Sequence, residues 1–275
     1  KEVFVDIMVN KIGIFSGGGK LPIIIGKNLI NSKHDVVFFC IDKFANLKLY
    51  KNYNFEKISI TSLTKILSLL KKNSIKKIIM AGHVKRPSVK DIKFDLNTLK
   101  LIKNFALDSK GDDKLLTSIS IFFKNKGFPT FDWKNNCKSI FASEKYLSIK
   151  KPSKESLLNK DKGINFFNKI GKADVAQSLI IQNKIILGIE AAEGTDELIK
   201  RCFNYKKQGD GGVLLKLSKY NQDSNLDIPV IGLKTVQKIK KYKYEGIFLE
   251  QNKCIIIDKE KVINFCNENQ LFLSC

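Results

Sequence analysis

Short apolar runs alternate with helical periodicities along most of the chain. Lys11–Phe15 reads as a buried strand, and Leu21–Asn31 follows it as an apolar helix with Pro22 near its first position. Asp35–Ile41 is a second buried strand, and Phe55–Ile60 a third. Leu63–Lys72 places Leu63, Ile66, Leu67 and Leu70 on one helical face, and Lys76–Ala81 is the next strand. Strands separated by helices and short turns predict parallel βαβ units. Helices over Leu96–Leu107 and Asp113–Lys126 and an extended Phe128–Trp133 complete this half.

Residues 145–163 are rich in lysine, contain Pro152 and Ser153, and show little apolar periodicity before Ile164. A domain junction is therefore expected near 135–150. Beyond it, Gln177–Ile181 and Ile185–Ala191 predict a hairpin through Asn183. Asp196–Tyr205, Thr235–Tyr242 and Lys259–Asn269 read as helices; Val213–Leu217, Gly246–Glu250 and Cys254–Ile257 read as strands. The expected class is α/β: a Rossmann-like N-terminal domain over 8–140 and a distinct α/β domain over 150–275. Met8 stands just before the first strand, which leaves open whether residues 1–7 are native or an extension, and Lys1–Asn10 lacks the features of a signal peptide.

A hydrophobic content of 43% over 275 residues supports packed cores and excludes a disordered or fibrous chain. No run of about 18 apolar residues exists to span a membrane. The six cysteines form no C-x-x-C pair, and with two histidines a zinc site is not expected. Their wide spacing suits a reducing cytoplasm.

The formal charge of +22 suggests nucleic acid or an anionic membrane, but its make-up argues against the former. Of 49 basic residues only Arg86 and Arg201 are arginine. A nucleic-acid reader relies on arginine's planar fork, so nucleic acid is not expected as the partner.

Five constellations could carry chemistry. Gly17, Gly18 and Gly19 link a strand to a helix, where glycines let the backbone approach a phosphate and the helix end supplies N–H groups. A plain tight turn is the alternative reading of such a run. Asp42 closes the second strand, where an acid can bind a ribose. His83, Lys85 and Arg86 follow the strand ending at Ala81; that loop and the Gly loop should meet beyond the carboxyl ends of the strands. Asp112 and Asp113 are adjacent acids, one of which a helix cap would explain. Glu193, Thr195, Asp196 and Arg201 surround a strand-to-helix turn, with Thr195 or Asp196 as its cap and Arg201 within reach of either acid. Lys216 lies in an apolar strand, which costs energy unless its charge meets an anion. Asp223 and Asp227 follow in a loop, Asp227 before Ile228-Pro229.

Taken together, GGGKLP (17–22), GHVKRP (82–87), GDDKLL (111–116), the Gln177 strand, EAAEGTDELIKR (190–201), VLLKLSK (213–219) and QDSNLDIPVIGLKT (222–235) resemble the LpxI family, the UDP-2,3-diacylglucosamine pyrophosphatases of lipid A biosynthesis. The likeness runs from Lys11 to Phe272. Tyr220-Asn221 replaces a proline-glycine pair, and Asn225 stands where arginine is expected. The resemblance implies two α/β domains with a site between them. It also implies Mg²⁺-dependent cleavage of UDP-2,3-diacylglucosamine to UMP and 2,3-diacylglucosamine 1-phosphate, a homodimer, and work at the inner face of the cytoplasmic membrane as a peripheral protein bound to anionic lipid. Carried onto this sequence, it gives Asp227, Asp113 and Lys216 catalytic roles. Gly17, Gly18, Gly19, Asp42, His83, Lys85, Arg86, Gln177, Thr195, Arg201 and Lys219 would bind substrate, and Asp112, Glu193 and Asp227 would hold Mg²⁺.

Two rival readings remain at this level. An NAD-type Rossmann oxidoreductase would use Gly17, Gly19 and Asp42, although Pro22 occupies the third glycine position of that fingerprint. A noncatalytic basic binding module would leave the acidic motifs unexplained.

Overall fold

The computed structural model describes residues 11–84, 95, 112–170, 177–218 and 228–275, without the side chains of 112–114. The chain divides into two compact units, Lys1–Lys138 and Ser139–Cys275. Both are mixed α/β.

The N-terminal unit is built on strands β1 (Lys11–Ser16), β2 (Asp35–Ile41), β3 (Phe55–Ile58) and β4 (Lys77–Ala81). They form one parallel sheet in the order β3-β2-β1-β4, the strand order of one half of a doubly wound fold. β1 and β2 are apolar on both faces because helices cover both. Helix α1 (Leu21–Asn31) lies on one face, where Gly26 leaves room for the Phe38 ring and Ile14. Helices α2 (Leu63–Lys72) and α3 (Asp112–Asn125) cover the other, packing around Phe15, Phe39, Ile66, Leu70 and Phe123. The extended piece near Thr130 pairs with β4 through Ile78 N–H to Pro129 O (2.9 Å) and Phe131 N–H to Ile78 O (2.8 Å). The predicted helix at Leu96–Leu107 lies outside the described residues.

The C-terminal unit contains helix α4 (Lys154–Ile170), strands β5 (Ser178–Gln182) and β6 (Ile185–Ile189), helix α5 (Thr195–Phe203) and strand β7 (Val213–Lys216). Then come β8 (Val230–Ile231), α6 (Leu233–Lys241), β9 (Gly246–Leu249), β10 (Ile255–Ile256), α7 (Lys259–Glu268) and β11 (Phe272–Ser274). The main sheet runs β11-β9-β7-β5-β6, parallel as far as β7 and antiparallel beyond it. β8 and β10 form a small parallel pair. The β5–β6 hairpin turns at Asn183 (φ 50°) and Lys184 (φ 60°), the left-handed pair that matches strand twist. Helices α5, α6 and α7 bury Leu198, Ile199, Val236, Ile239 and Val262 on one face of the sheet.

Helix α4 starts within the lysine-rich stretch 145–163, where the sequence shows little apolar periodicity and no helix is predicted. It begins at Lys154, and its buried stripe is Ser156, Asn159, Gly163 and Phe167. That stripe has helical spacing but is mostly not apolar, so hydrophobic periodicity misses it. Its polar members are satisfied: Ser156 Oγ donates to Glu245 Oε2 (2.7 Å), Asn159 Nδ2 donates to Asp210 Oδ2 (3.0 Å), and Asn159 Oδ1 accepts from Lys184 N–H (2.7 Å).

Candidate active site

Each sheet gathers candidate residues at the carboxyl ends of its strands. In the N-terminal unit β1 runs into Gly17-Gly18-Gly19, and β4 into Gly82-His83. The two loops do meet, as antiparallel backbone partners. Gly17 N–H donates to Ala81 O (2.9 Å), Gly18 N–H to His83 O (2.8 Å) and His83 N–H to Gly18 O (3.1 Å). The fit leaves no space for side chains. A Cβ on Gly17 would lie 2.7 Å from His83 O, and one on Gly82 would lie 2.6 Å from Gly18 O and 3.0 Å from Pro22 Cγ. Gly82 (φ 85°) and Gly19 (φ 89°) also adopt left-handed backbone. The exposed His83 imidazole lies against Gly18, where a Cβ would collide with it.

This corrects the expectation that Gly17 and Gly18 turn their N–H groups to a ligand, because those donors are spent between the loops. What the edge offers an anion is the region from Gly19 into the first turn of α1, together with His83. Asp42 follows β2 on the same edge and is exposed. A dinucleotide pyrophosphate cradle would need the two donors already spent, and Pro22 is buried at the start of α1. The oxidoreductase reading loses its basis there.

In the C-terminal unit the edge is formed by the ends of β6, β7 and β9 and the start of β5. Lys216, the last residue of β7, has 4% of its side chain exposed. Its ammonium donates to Thr195 Oγ1 (2.7 Å) and Ser178 Oγ (3.1 Å) and lies 3.6 Å from Glu190 Oε2. Thr195 in turn donates to Glu190 Oε1 (2.9 Å). The buried cation thus meets its anion, as the sequence required.

Thr195 is free for this because it does not cap α5. The cap position is Gly194, with φ 80° and ψ 166°, a conformation favouring glycine, and the helix starts one residue earlier than expected. Gln177 precedes β5 and accepts Leu217 N–H (2.8 Å) through its carbonyl, tying it to the strand end that carries Lys216.

Arg201 pairs with Glu193. Its Nε donates to Glu193 Oε1 (3.0 Å); Nη2 lies 2.8 Å from the same oxygen as an ion pair and donates to Ile189 O (2.6 Å). Glu193 Oε2 accepts from Ala191 N–H (3.1 Å). Burial pushes the Glu193 carboxyl up, but backbone N–H groups and the Arg201 guanidinium outweigh it and hold it below the usual range. With both oxygens occupied, Glu193 braces the turn after β6 and, as it stands, does not fit a metal ligand. Among the described residues, no group of three or more histidines, cysteines or acids could hold a metal ion. Asp112 and Asp113 occupy the first turn of α3, but their side chains lie outside the described residues, as do Lys85, Arg86, Lys219 and Asp227.

Three polar residues escaped the sequence reading. Ser178 lies opposite Lys216 in the β5–β7 register, a pairing that only the folded sheet creates. Glu190 stood within a quoted motif, yet it is the acid that faces Lys216. Glu250, after β9, accepts from both the backbone N–H (2.7 Å) and the hydroxyl of Ser218, and Lys253 donates to its other oxygen (2.6 Å). It clamps the first residues after Lys216.

The family model of the LpxI N-terminal domain matches residues 11–140, and that of the LpxI C-terminal domain matches residues 143–274. The chain is similar to the UDP-2,3-diacylglucosamine pyrophosphatase LpxI of Caulobacter vibrioides, 26% identical over 272 residues, covering 96% of this chain and 97% of that protein. The ordered motifs, the two α/β units and these full-length matches agree: the chain belongs to the LpxI family.

Proposed function

We propose that this chain is a UDP-2,3-diacylglucosamine pyrophosphatase acting in lipid A biosynthesis and releasing UMP and 2,3-diacylglucosamine 1-phosphate. The observation that carries the reading is Lys216, a buried ammonium held by hydroxyls at the open edge of its sheet, in a chain matched end to end by a relative of that name. A buried cation held by two hydroxyls, with Glu190 near it but not hydrogen-bonded to it, keeps a donor that suits the negative charge of a diphosphate. Phosphoryl transfer is mostly positioning and charge neutralisation, which this edge is equipped to supply.

In this proposal Gly19, the first turn of α1, His83, Asp42, Lys85 and Arg86 hold the uridine half. Lys216, Thr195, Gln177, Arg201 and Lys219 serve the diphosphate and sugar half. Water attacks the β-phosphorus, the anhydride bond breaks, and UMP leaves. Asp113 and Asp227 are proposed to orient that water. Mg²⁺ dependence is part of the proposal; Asp112 and Asp227 would hold the ion, which when bound would neutralise diphosphate charge. Glu193, committed to Arg201, is not counted among its ligands.

The substrate's two acyl chains place the work at a bilayer, and we propose peripheral binding to anionic lipid at the inner face of the cytoplasmic membrane. Among the described residues no helix is long and apolar enough to cross a membrane. Four exposed apolar side chains, Tyr146, Ile149, Leu157 and Leu158, fall within thirteen residues, and Ile149 is 82% exposed. The ammonium groups of Lys145 and Lys151 each sit 5.3 Å from the Tyr146 ring centre. Lysines around exposed apolar side chains suit an anionic headgroup layer. A homodimer is proposed from the family likeness, with light scattering as its check.

The test is UMP release from UDP-2,3-diacylglucosamine in ¹⁸O-labelled water, followed by mass spectrometry. Label in the lipid monophosphate supports the reading. Label in UMP would place the attack on the nucleotide side, and absence of UMP would end the assignment.

A further inference from the structure

We infer that Glu190, Ser178 and Thr195 are positioning residues of this site, which hold the Lys216 ammonium in one orientation while keeping one of its N–H groups out of any hydrogen bond within the described residues, available to a phosphoryl oxygen. The inference rests on the reading above that the site binds a diphosphate. An ammonium has three donors. Two are spent, on Thr195 Oγ1 (2.7 Å) and Ser178 Oγ (3.1 Å). The third makes no hydrogen bond among the described residues; Glu190 Oε2 lies 3.6 Å from Nζ, close enough for charge attraction but too far for a hydrogen bond.

The acid shows the same incompleteness. Glu190 Oε1 accepts from Thr195, whereas Glu190 Oε2 is buried with no hydrogen-bond partner among the described residues. A buried ion pair serving stability alone would close that gap, since desolvation is offset only by good geometry. Here the ammonium and the carboxylate oxygen are held 3.6 Å apart without bonding.

The arrangement is built into the backbone. The β5–β7 register sets Ser178 beside Lys216, and Glu190 N–H donates to Ser178 O (2.9 Å), fixing the acid beside both. Thr195 accepts from Lys216, so its own proton goes to Glu190 Oε1, and the chain of bonds has one direction. Lys216 is therefore aimed by three strands and one helix start. Removing Glu190's charge or Thr195's hydroxyl leaves the ammonium present but free to turn.

The test uses the full chain and two readouts. At neutral pH a buried, hydrogen-bonded lysine ammonium gives a ¹H–¹⁵N NMR signal that rapidly exchanging surface lysines do not; Lys216→Met assigns it. The expected result is that Glu190→Gln and the near-isosteric Thr195→Val each broaden or abolish that signal. Both should lower kcat about 10- to 100-fold while KM moves much less, the scale of a misplaced charged group. Ser178→Ala should do the same to a smaller degree. A folded Glu190→Gln or Thr195→Val protein that keeps both the signal and kcat overturns the inference, as does loss of the signal with kcat unchanged. Should the wild type release no UMP, the functional reading fails. The spectrum would still decide whether Glu190 and Thr195 hold the ammonium.

Discussion

The contact between the Gly loop and the loop after β4 predicts opposite outcomes for two glycine-to-alanine changes. At Gly82 a new Cβ meets backbone, 2.6 Å from Gly18 O and 2.9 Å from Gly17 C, in a residue with φ 85°. The left-handed backbone costs alanine about 1–2 kcal/mol. Parting the loops weakens the two bonds between Gly18 and His83, at about 1 kcal/mol each. Alanine's stiffer unfolded chain returns about 0.4–1 kcal/mol, leaving a net loss of about 2–3 kcal/mol. At Gly18 the obstacle is the imidazole of His83, an exposed side chain that can swing away, so the loss stays below about 1 kcal/mol. Scanning calorimetry of the full chain should show the N-terminal unit's transition lowered by about 8 °C in Gly82→Ala and by less than about 3 °C in Gly18→Ala. UDP titration of Gly18→Ala should still show weaker binding, because the displaced ring lines the proposed nucleotide edge. Equal melting shifts would refute the argument that backbone and side-chain obstacles differ here, and unchanged UDP affinity would reduce His83 to a loop residue.

Chelation should cut UMP release at least about a hundredfold, with Mg²⁺ restoring it, and Asp227→Ala should fold, bind UDP and lose a similar factor; full activity in the metal-free protein removes Mg²⁺ from the proposal. Ile149→Asp should lower co-sedimentation with anionic liposomes several-fold while leaving turnover of detergent-dispersed substrate unchanged; undiminished sedimentation would move the contact elsewhere. Burial raises the Glu250 carboxyl, but Lys253 and the two Ser218 donors outweigh it and hold it below the usual carboxylate range. A lowered folded value means that the clamp's stabilisation is complete above the unfolded carboxylate pKa, about 4.3, and fades as pH falls through the folded one. The Tm difference between wild type and Glu250→Gln should hold steady from pH 7 to 5 and narrow below about pH 4; a difference that widens in acid contradicts this sign.

The sequence revealed most where the folding signal is local. The opening βαβ pattern could be read because β1 and β2 are buried on both faces and α1 starts at a proline-bearing turn. The β5–β6 hairpin could be read because Asn183 tolerates the backbone its turn demands. Lys216 stood out because a charge inside an apolar strand requires a partner. The partner's identity did not, since Ser178 reaches Lys216 through strand register and Glu190 lies far from it along the chain. Helix α4 failed for the converse reason. Its buried face is chemically polar, and only Asp210 and Glu245, distant in sequence, make that burial affordable.

The Gly-rich run shows why a motif can mark the right place for the wrong reason. Glycines let a backbone come close to something, and a sequence cannot say to what. For Gly17, Gly18 and Gly82 the neighbour is the other loop: each glycine's missing Cβ is space filled by the opposing chain or by His83. The donors expected to meet a phosphate instead join two strand ends. The consequence for binding is specific. Once Gly17 and Gly18 are occupied, the anion-facing surface shifts to Gly19 and the first turn of α1, where Pro22 contributes no N–H. With two glycine donors spent and Pro22 lacking one, side chains would supply part of the hold on the proposed nucleotide. His83, placed over the loop by its own backbone pairing with Gly18, is one described side chain positioned to begin it.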